Sequence, residues 1–253
     1  MKGRFFVTLD PESEDRASLD AAGARHLRAL RLTRGDAVRA IVAPGRERAA
    51  VIASLERERV LLTLGDELPA ARRDLAHERT LAIALGDLTR MDLVIEKATE
   101  LGATAIQPFV AERSQARTLA PSRLERWRRI ARTACEQCGR TVEPAIHECI
   151  AFAELAERCA AGSVVWLLTP AGEAHDPASA PAQIEAAPAS GSGRQATALL
   201  LVVGPEGGLS DQEAGLLRER GARPITLGHR TLRFETAAIA ALSAALVHFP
   251  EDP

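Results

Sequence analysis

The chain has 253 residues, 46% of them hydrophobic and 26% charged, with 32 Lys+Arg against 34 Asp+Glu and only four Cys. These proportions exclude a collagen-like, mucin-like or wholly disordered chain, and the length allows one large domain or two smaller ones whose core needs neither disulfides nor metals. Four unevenly spaced Cys make no disulfide framework and favour a reducing, cytoplasmic setting. The apolar run 198–203 is far short of the roughly 18 residues a membrane span needs, and residues 1–6 lack the apolar stretch of a signal peptide.

Residues 1–72 read as β-rich. A strand is expected at 5–8 and a short helix at 21–32. Strands at 36–42 and 49–55 flank Pro44-Gly45, a hairpin signal, and a strand at 60–64 is ended by Gly65-Asp66. Together they suit a small barrel, with residues 68–73 as a linker. Beyond it, strands and helices alternate: strand 80–85, helix 91–101 with Gly102 as its cap, strand 105–110, helix 121–137, and strands 163–168 and 199–203. Such alternation predicts an α/β domain over residues 73–253 with a mainly parallel sheet. Residues 171–195, rich in Ala, Pro, Ser and Gly, read as a long loop.

The near-neutral net charge hides a local asymmetry. Only Lys2 and Lys97 are lysines, so the cations are almost all arginine, the side chain best suited to phosphate forks. Between Glu112 and Arg140 eight arginines face three glutamates, a local excess of five positive charges. A stripe of this kind follows a phosphate backbone or simply covers a solvated helix face.

The densest chemistry lies near the C-terminus. An apolar strand, 199–203, runs into Gly204-Pro205-Glu206-Gly207-Gly208. Ser210 and Glu213 then spell a capping box, and the helix they start stops at Gly221. A second strand, 225–228, runs into His229-Arg230-Thr231-Leu232-Arg233-Phe234-Glu235-Thr236, followed by an Ala-rich helix at 237–249. Ligands of open α/β sheets bind at strand carboxyl ends, and glycines there let a ligand approach the backbone. The pattern is neither a P-loop nor GxGxxG, so a nucleotide phosphate is not implied.

These motifs, with Leu227-Gly228-x-Arg230-x-Leu232-Arg233-x-Glu235-Thr236, resemble the RsmE-type family of SPOUT methyltransferases, which methylate N3 of a uridine in 16S ribosomal RNA. Three further stretches agree, in order: His26-Leu27-x-x-Leu30-Arg31-Leu32-x-x-Gly35-Asp36; Glu96-Lys97-Ala98-Thr99-Glu100-Leu101-Gly102 with Pro108 and Glu112-Arg113; and Ala134-Cys135-Glu136-Gln137-Cys138-Gly139-Arg140 with Pro144. The resemblance implies a PUA-like β-barrel for RNA binding, residues 1–72, followed by a SPOUT domain with a C-terminal trefoil knot, residues 73–253, in a cytoplasmic homodimer acting on the small subunit's rRNA. It implies S-adenosyl-L-methionine as cofactor, held by Leu168, Thr169, Pro170, Val203, Gly204, Pro205, Glu206, Gly207, Gly208, Leu227, Gly228, Thr231, Leu232 and Arg233.

For catalysis, Arg233 or Arg230 is the candidate to stabilise charge on the uracil carbonyls, and Glu206 or Glu235 the candidate base, provided burial raises its pKa. Arg25, His26, Arg28, Arg31, Arg123, Arg126, Arg129 and Arg140 are the candidates for holding RNA. Phe234 departs from the family pattern, which favours a small or hydroxyl residue there. No metal is expected: Cys135-x-x-Cys138 near His147 and Cys149 is a single pair where structural zinc sites use two. A non-catalytic RNA-binding protein, or a SPOUT enzyme acting on a ribose hydroxyl or another base, remain the alternatives.

Overall fold

The structure, a computed structural model, describes residues 2–69, 78–159, 163–170 and 198–248. The chain divides into two compact units, Met1–Asp74 with Arg132–Glu143, and Leu75–Ala131 with Pro144–Pro253.

The first unit holds β1 (Arg4–Phe6), β2 (Thr8–Asp10), β3 (Ser13–Leu19), α1 (Ala21–Ala29), β4 (Ala37–Ala43), β5 (Arg46–Leu55) and β6 (Val60–Leu68). Hydrogen bonding orders the sheet β1-β4-β5-β6-β3-β2; only β1–β4 is parallel. Val60, Leu62 and Leu64 alternate inward along β6 and meet Phe5, Leu27, Val38 and Ile52 in one apolar core. The β4–β5 hairpin turns at Gly45, whose φ of +72° favours glycine. Asp20 caps α1 by accepting from the Gly23 N–H at 2.9 Å.

Two sequence expectations need correction here, and one strand has no counterpart in the sequence reading. The strand expected at 5–8 is two strands broken at Val7, whose N–H donates to the Ile41 carbonyl instead. Gly65-Asp66 does not end β6. The register passes from Arg48↔Glu67 to Ala50↔Leu64, so two residues oppose Ala49 and the turn-like pair forms a β-bulge. And β3, with three consecutive exposed polar residues in Ser-Glu-Asp-Arg, carries little apolar signal.

Residues 132–143 join this unit through specific contacts. The Glu136 carboxylate accepts from the Phe6 N–H at 3.1 Å and faces His26 Nδ1 at 3.1 Å, while Arg132 donates to the Phe6 carbonyl. Gly45 N–H donates to Thr141 Oγ1 at 2.7 Å.

The second unit holds β7 (Arg79–Ala84), α2 (Leu88–Glu100), β8 (Ala105–Val110), most of α3 (Pro121–Cys138), β9 (Ala145–Ile146), β10 (Ile150–Ala151), α4 (Phe152–Arg158), β11 (Val164–Leu168), β12 (Leu199–Val203), α5 (Asp211–Glu219), β13 (Arg223–Ile225) and α6 (Phe234–His248). All its strand pairs are parallel, in the order β10-β8-β7-β12-β11-β13, with β9 beside β8. This is the expected α/β class. Parallel strands need crossovers that cover both faces. Accordingly Leu81, Ile83, Leu201 and Val203 point into a core with Trp127, Trp166, Met91 and Leu242, while Ala82, Ala84, Leu200 and Val202 point into another with Phe109, Leu155 and Leu217. All five residues of β12 are buried, as its uninterrupted apolar run requires.

The expected strand 225–228 is instead β13, ending at Ile225. Gly228, at φ +83°, lies in the loop that follows. The last helix begins at Phe234, three residues earlier than expected. The short β9, β10 and α4 have no counterpart in the sequence reading because none is long enough to show a period. The expected linker at 68–73 falls mostly, and the loop at 171–195 wholly, outside the described residues.

Candidate active site

Three loops at the carboxyl ends of adjacent parallel strands converge on one cleft in the second unit. β11 contributes Leu168, Thr169 and Pro170; β12 contributes Val203, Gly204, Pro205, Glu206 and Gly208; the segment after β13 contributes Leu227, Gly228, Arg230, Thr231 and Leu232. The cleft encloses about 840 Å³, counting space open to solvent. It lies where open α/β sheets place their ligands. Leu167, Leu209, Ala214, Ile225, Thr226 and Ala237 also line it without having been singled out from the sequence, and so does Phe234, which the sequence left as either a pocket or a packing residue. Their signal is only apolar character next to a recognised loop.

Local chemistry fixes each loop. The capping box starts α5: Ser210 Oγ accepts from the Glu213 N–H at 3.3 Å, and Glu213 Oε2 accepts from the Ser210 N–H at 3.0 Å. Glu213 Oε1 also accepts from the Glu112 N–H at 2.8 Å, anchoring the helix start to the segment after β8. From that segment Arg113 donates to the carbonyls of Gly207, at 3.0 Å, and Leu209, at 3.3 Å. The glycine loop is therefore held from outside by an arginine. Gly204 is needed by the loop itself, since a Cβ there would stand 3.1 Å from Leu209 N, and Gly208 sits at φ +70°.

Of the residues the sequence assigned to cofactor binding, all but Gly207 and Arg233 line the cleft. Gly207 turns its carbonyl to Arg113, and Arg233 is exposed just before α6, its carbonyl accepting from the Ala237 N–H. Of the four residues assigned to catalysis, Arg230 and Glu206 line the cleft; Arg233 and Glu235 do not. Among the described residues no carboxylate pairs with Arg230 or Arg233.

The burial asked of a base is missing at Glu206, which is exposed and accepts from the Asp87 N–H at 2.9 Å. Glu235 is better buried, but both its oxygens face Arg90 Nη1 at 3.2 Å. Phe234 packs, at 4% exposure, as the first residue of α6 and forms part of the cleft wall.

The RNA candidates divide as well. Arg25, Arg28 and Arg31 are exposed in the first unit, with Arg28 bonded to the Glu56 carbonyl and Arg31 in the left-handed region at φ +58°. His26 packs edge-on against Phe5 and faces Glu136, which leaves it poorly placed for stacking on a base. On α3, Arg126 and Arg123 pair with Asp92, which also accepts from Trp127 Nε1 at 3.0 Å, and Arg129 is exposed. Arg140 is only 5% exposed, so it is a core residue rather than a phosphate clamp, contrary to the sequence reading.

Cys135 is buried on α3, and burial pushes the Cys149 thiol up to about 11. Among the described residues no group of three or more His, Cys, Asp or Glu is placed to hold a metal, and no helix is long and apolar enough to cross a membrane.

A parallel α/β unit with a cleft at three strand ends, lined by apolar side chains, glycine loops and the Arg230 cation, is a small-molecule-binding scaffold suited to group transfer. Residues 73–246 match the model of the RNA methyltransferase domain. The chain is 32% identical to a protein named ribosomal RNA small subunit methyltransferase E from Synechocystis, over 96% of this chain and 77% of that protein. To the protein of the same name from Bacillus subtilis it is 30% identical, over 95% and 94%. Among solved structures, it is similar to ribosomal RNA small subunit methyltransferase E from Neisseria gonorrhoeae bound to S-adenosyl methionine, with a TM-score of 0.80 at 29% identity and 98% coverage of both chains. A methyltransferase from Legionella pneumophila, solved with the same cofactor, gives 0.81 at 25% identity and 98% coverage of both. The chain belongs to the RNA methyltransferase family, within its ribosomal RNA small subunit methyltransferase E branch.

Proposed function

We propose that the protein is an S-adenosylmethionine-dependent methyltransferase acting on N3 of a uridine in 16S ribosomal RNA. The observation that carries this reading is the cleft itself: the three loops the motifs assign to the cofactor stand together at adjacent strand ends. Its composition fits the cofactor. Leu209, Ile225, Leu227 and Phe234 offer apolar surface to an adenine ring, and the glycine loops offer backbone donors and acceptors.

When bound there, S-adenosylmethionine supplies a methyl group on a positively charged sulfur. The protein must position the uracil nitrogen for in-line attack, remove its proton and offset the negative charge that develops on the ring carbonyls. Arg230, in the cleft and without a carboxylate partner among the described residues, serves the last role; Arg233, three residues on, is the second candidate. Of the two candidate bases only Glu206 lines the cleft; exposed and accepting from the Asp87 N–H, it lacks the burial asked of a base, so the proton acceptor is left unassigned. N3 of a paired uridine is hidden in its base pair, so the target is unpaired or extruded. Exposed Arg25, Arg28 and Arg31 in one unit, and Arg123, Arg126 and Arg129 in the other, hold RNA phosphates.

The finer architecture rests on the motif resemblance: a PUA-like barrel over residues 1–72, a trefoil knot in the SPOUT domain over 73–253, a homodimer, and a cytoplasmic setting with rRNA, free or in the small subunit, as partner.

The test is methyl transfer from labelled S-adenosylmethionine to small-subunit rRNA and to assembled subunits, with nucleoside analysis. 3-Methyluridine is the expected product. Absence of both cofactor binding and methyl transfer refutes the reading and favours a non-catalytic RNA-binding protein. Arg230→Ala and Arg233→Ala are expected to lower turnover by about 10²-fold or more with little change in cofactor affinity; unchanged turnover removes that arginine from the mechanism.

A further inference from the structure

Two of the cleft's loops are tied to one short stretch, the connection 85–87 between β7 and α2 together with the first turn of α2. Asp87 caps α2, accepting from the Thr89 N–H at 2.8 Å, and its own N–H donates to Glu206 Oε1 at 2.9 Å. Gly86 makes room for this contact, since a Cβ there would stand 2.6 Å from Glu206 Oε2. Three residues on, Arg90 Nε faces Asp87 Oδ2 at 3.4 Å, and Nη1 donates to both oxygens of Glu235, each at 3.2 Å. The Glu235 side chain is 14% exposed and stands in the first turn of α6, directly after Phe234 of the cleft wall.

We propose that Arg90 is a positioning residue for cofactor binding, acting through Glu235. The segment from Thr226 to Arg233 forms no helix or strand, and Gly228 within it sits in the left-handed region. Its conformational freedom is removed chiefly by what happens at its ends. At one end β13 pairs with β11; at the other, α6 begins. The Arg90–Glu235 pair fixes that second end, and with it where Leu232 and Phe234 meet the ligand. The same stretch holds the glycine loop through Glu206. One bracket thus sets the spacing of two loops, the kind of supporting contact a site needs to keep its geometry. In this account Glu235 is engaged by Arg90 rather than available as a base. The inference rests on the function proposed above.

The experiment titrates S-adenosylmethionine into the purified full chain by calorimetry. It compares the unsubstituted protein with Arg90→Ala, Glu235→Ala, the double substitution and Arg90→Lys, and records the melting temperature of each. Each alanine substitution is expected to raise Kd by about tenfold, as loss of a charge-assisted hydrogen bond does. The double substitution is expected to be no worse than either single one, because both break the same link. Arg90→Lys should recover part of the affinity, and KM for the cofactor should rise more than kcat falls. Additive single effects, or an Arg90→Ala protein with unchanged Kd, overturn the proposal. Should Arg90→Ala not fold, Arg90→Lys and Glu235→Gln carry the same comparison. An unsubstituted protein that does not bind the cofactor overturns the proposed function; binding that is indifferent to Arg90 overturns only this inference.

Discussion

Glu213, in the first turn of α5, ties the start of that helix to the segment after β8. Only 8% exposed, it accepts from two backbone N–H groups, Ser210 at 3.0 Å and Glu112 at 2.8 Å. Replacing it with alanine removes both acceptors. Ser210, at 7% exposure, keeps a buried donor with no partner, whereas the exposed Glu112 N–H regains water. Hydrogen bonds to charged groups contribute about 1.5–3 kcal/mol each, and a stranded buried donor costs in the same range. The net loss for Glu213→Ala is therefore about 2–4 kcal/mol. Glu213→Gln keeps one acceptor and turns an NH₂ toward the other donor, so it should lose about half as much. Ser210→Ala loses only the cap to the Glu213 N–H, about 1 kcal/mol. Both tryptophans, Trp127 and Trp166, lie in this unit, so urea unfolding followed by their fluorescence reads the relevant transition. A Glu213→Ala loss below about 1 kcal/mol, or no larger than that of Ser210→Ala, would falsify the reasoning that a buried carboxylate ties α5 to the Glu112 segment.

Other expectations follow from the same geometry. Gly204→Ala places a methyl 3.1 Å from Leu209 N and should weaken cofactor binding by about tenfold, whereas Gly215→Ala, with open space in α5, should stabilise by about 0.5–1 kcal/mol and leave binding alone; calorimetry and melting separate them. Glu47, 1% exposed between Arg4 and Arg39, is the centre of a buried charge cluster, and Glu47→Ala should cost about 3–5 kcal/mol in the first unit, read by hydrogen exchange on β4 and β5. Asp87 is held below the usual carboxylate range by the Thr89 N–H it accepts. Its contribution to folding is therefore fully present above about pH 4 and is lost as pH falls through its lower folded value, so Asp87→Asn should flatten the acid limb of the stability curve.

The strand β12 was legible because five apolar residues in a row have no other use in a chain of this composition, and the α5 start because Ser210 and Glu213 carry their own mutual hydrogen bonds. Three of the four glycines the motifs assign to the cofactor, Gly204, Gly208 and Gly228, line the cleft, and at Gly204 the close neighbour is Leu209 N. Strand β3, the Gly65 bulge and the break at Val7 were not legible, since each depends on which strand lies alongside. Arg140 shows the same limit from the other side: an arginine in a basic stripe looks solvated until packing puts it inside.

By itself, then, the sequence determined the elements whose reasons are local, namely apolar periodicity, helix caps, turn glycines, and the motifs that identify the family. Only tertiary structure decided which charges are free. Nothing local announces that Asp87 meets Glu206, 119 positions away, or that Arg90 meets Glu235, 145 positions away, because these pairs are joined by the order of a parallel sheet. Ion pairing and burial depend on distances of a few ångströms between such remote residues, and those distances are set by the packing of the whole unit.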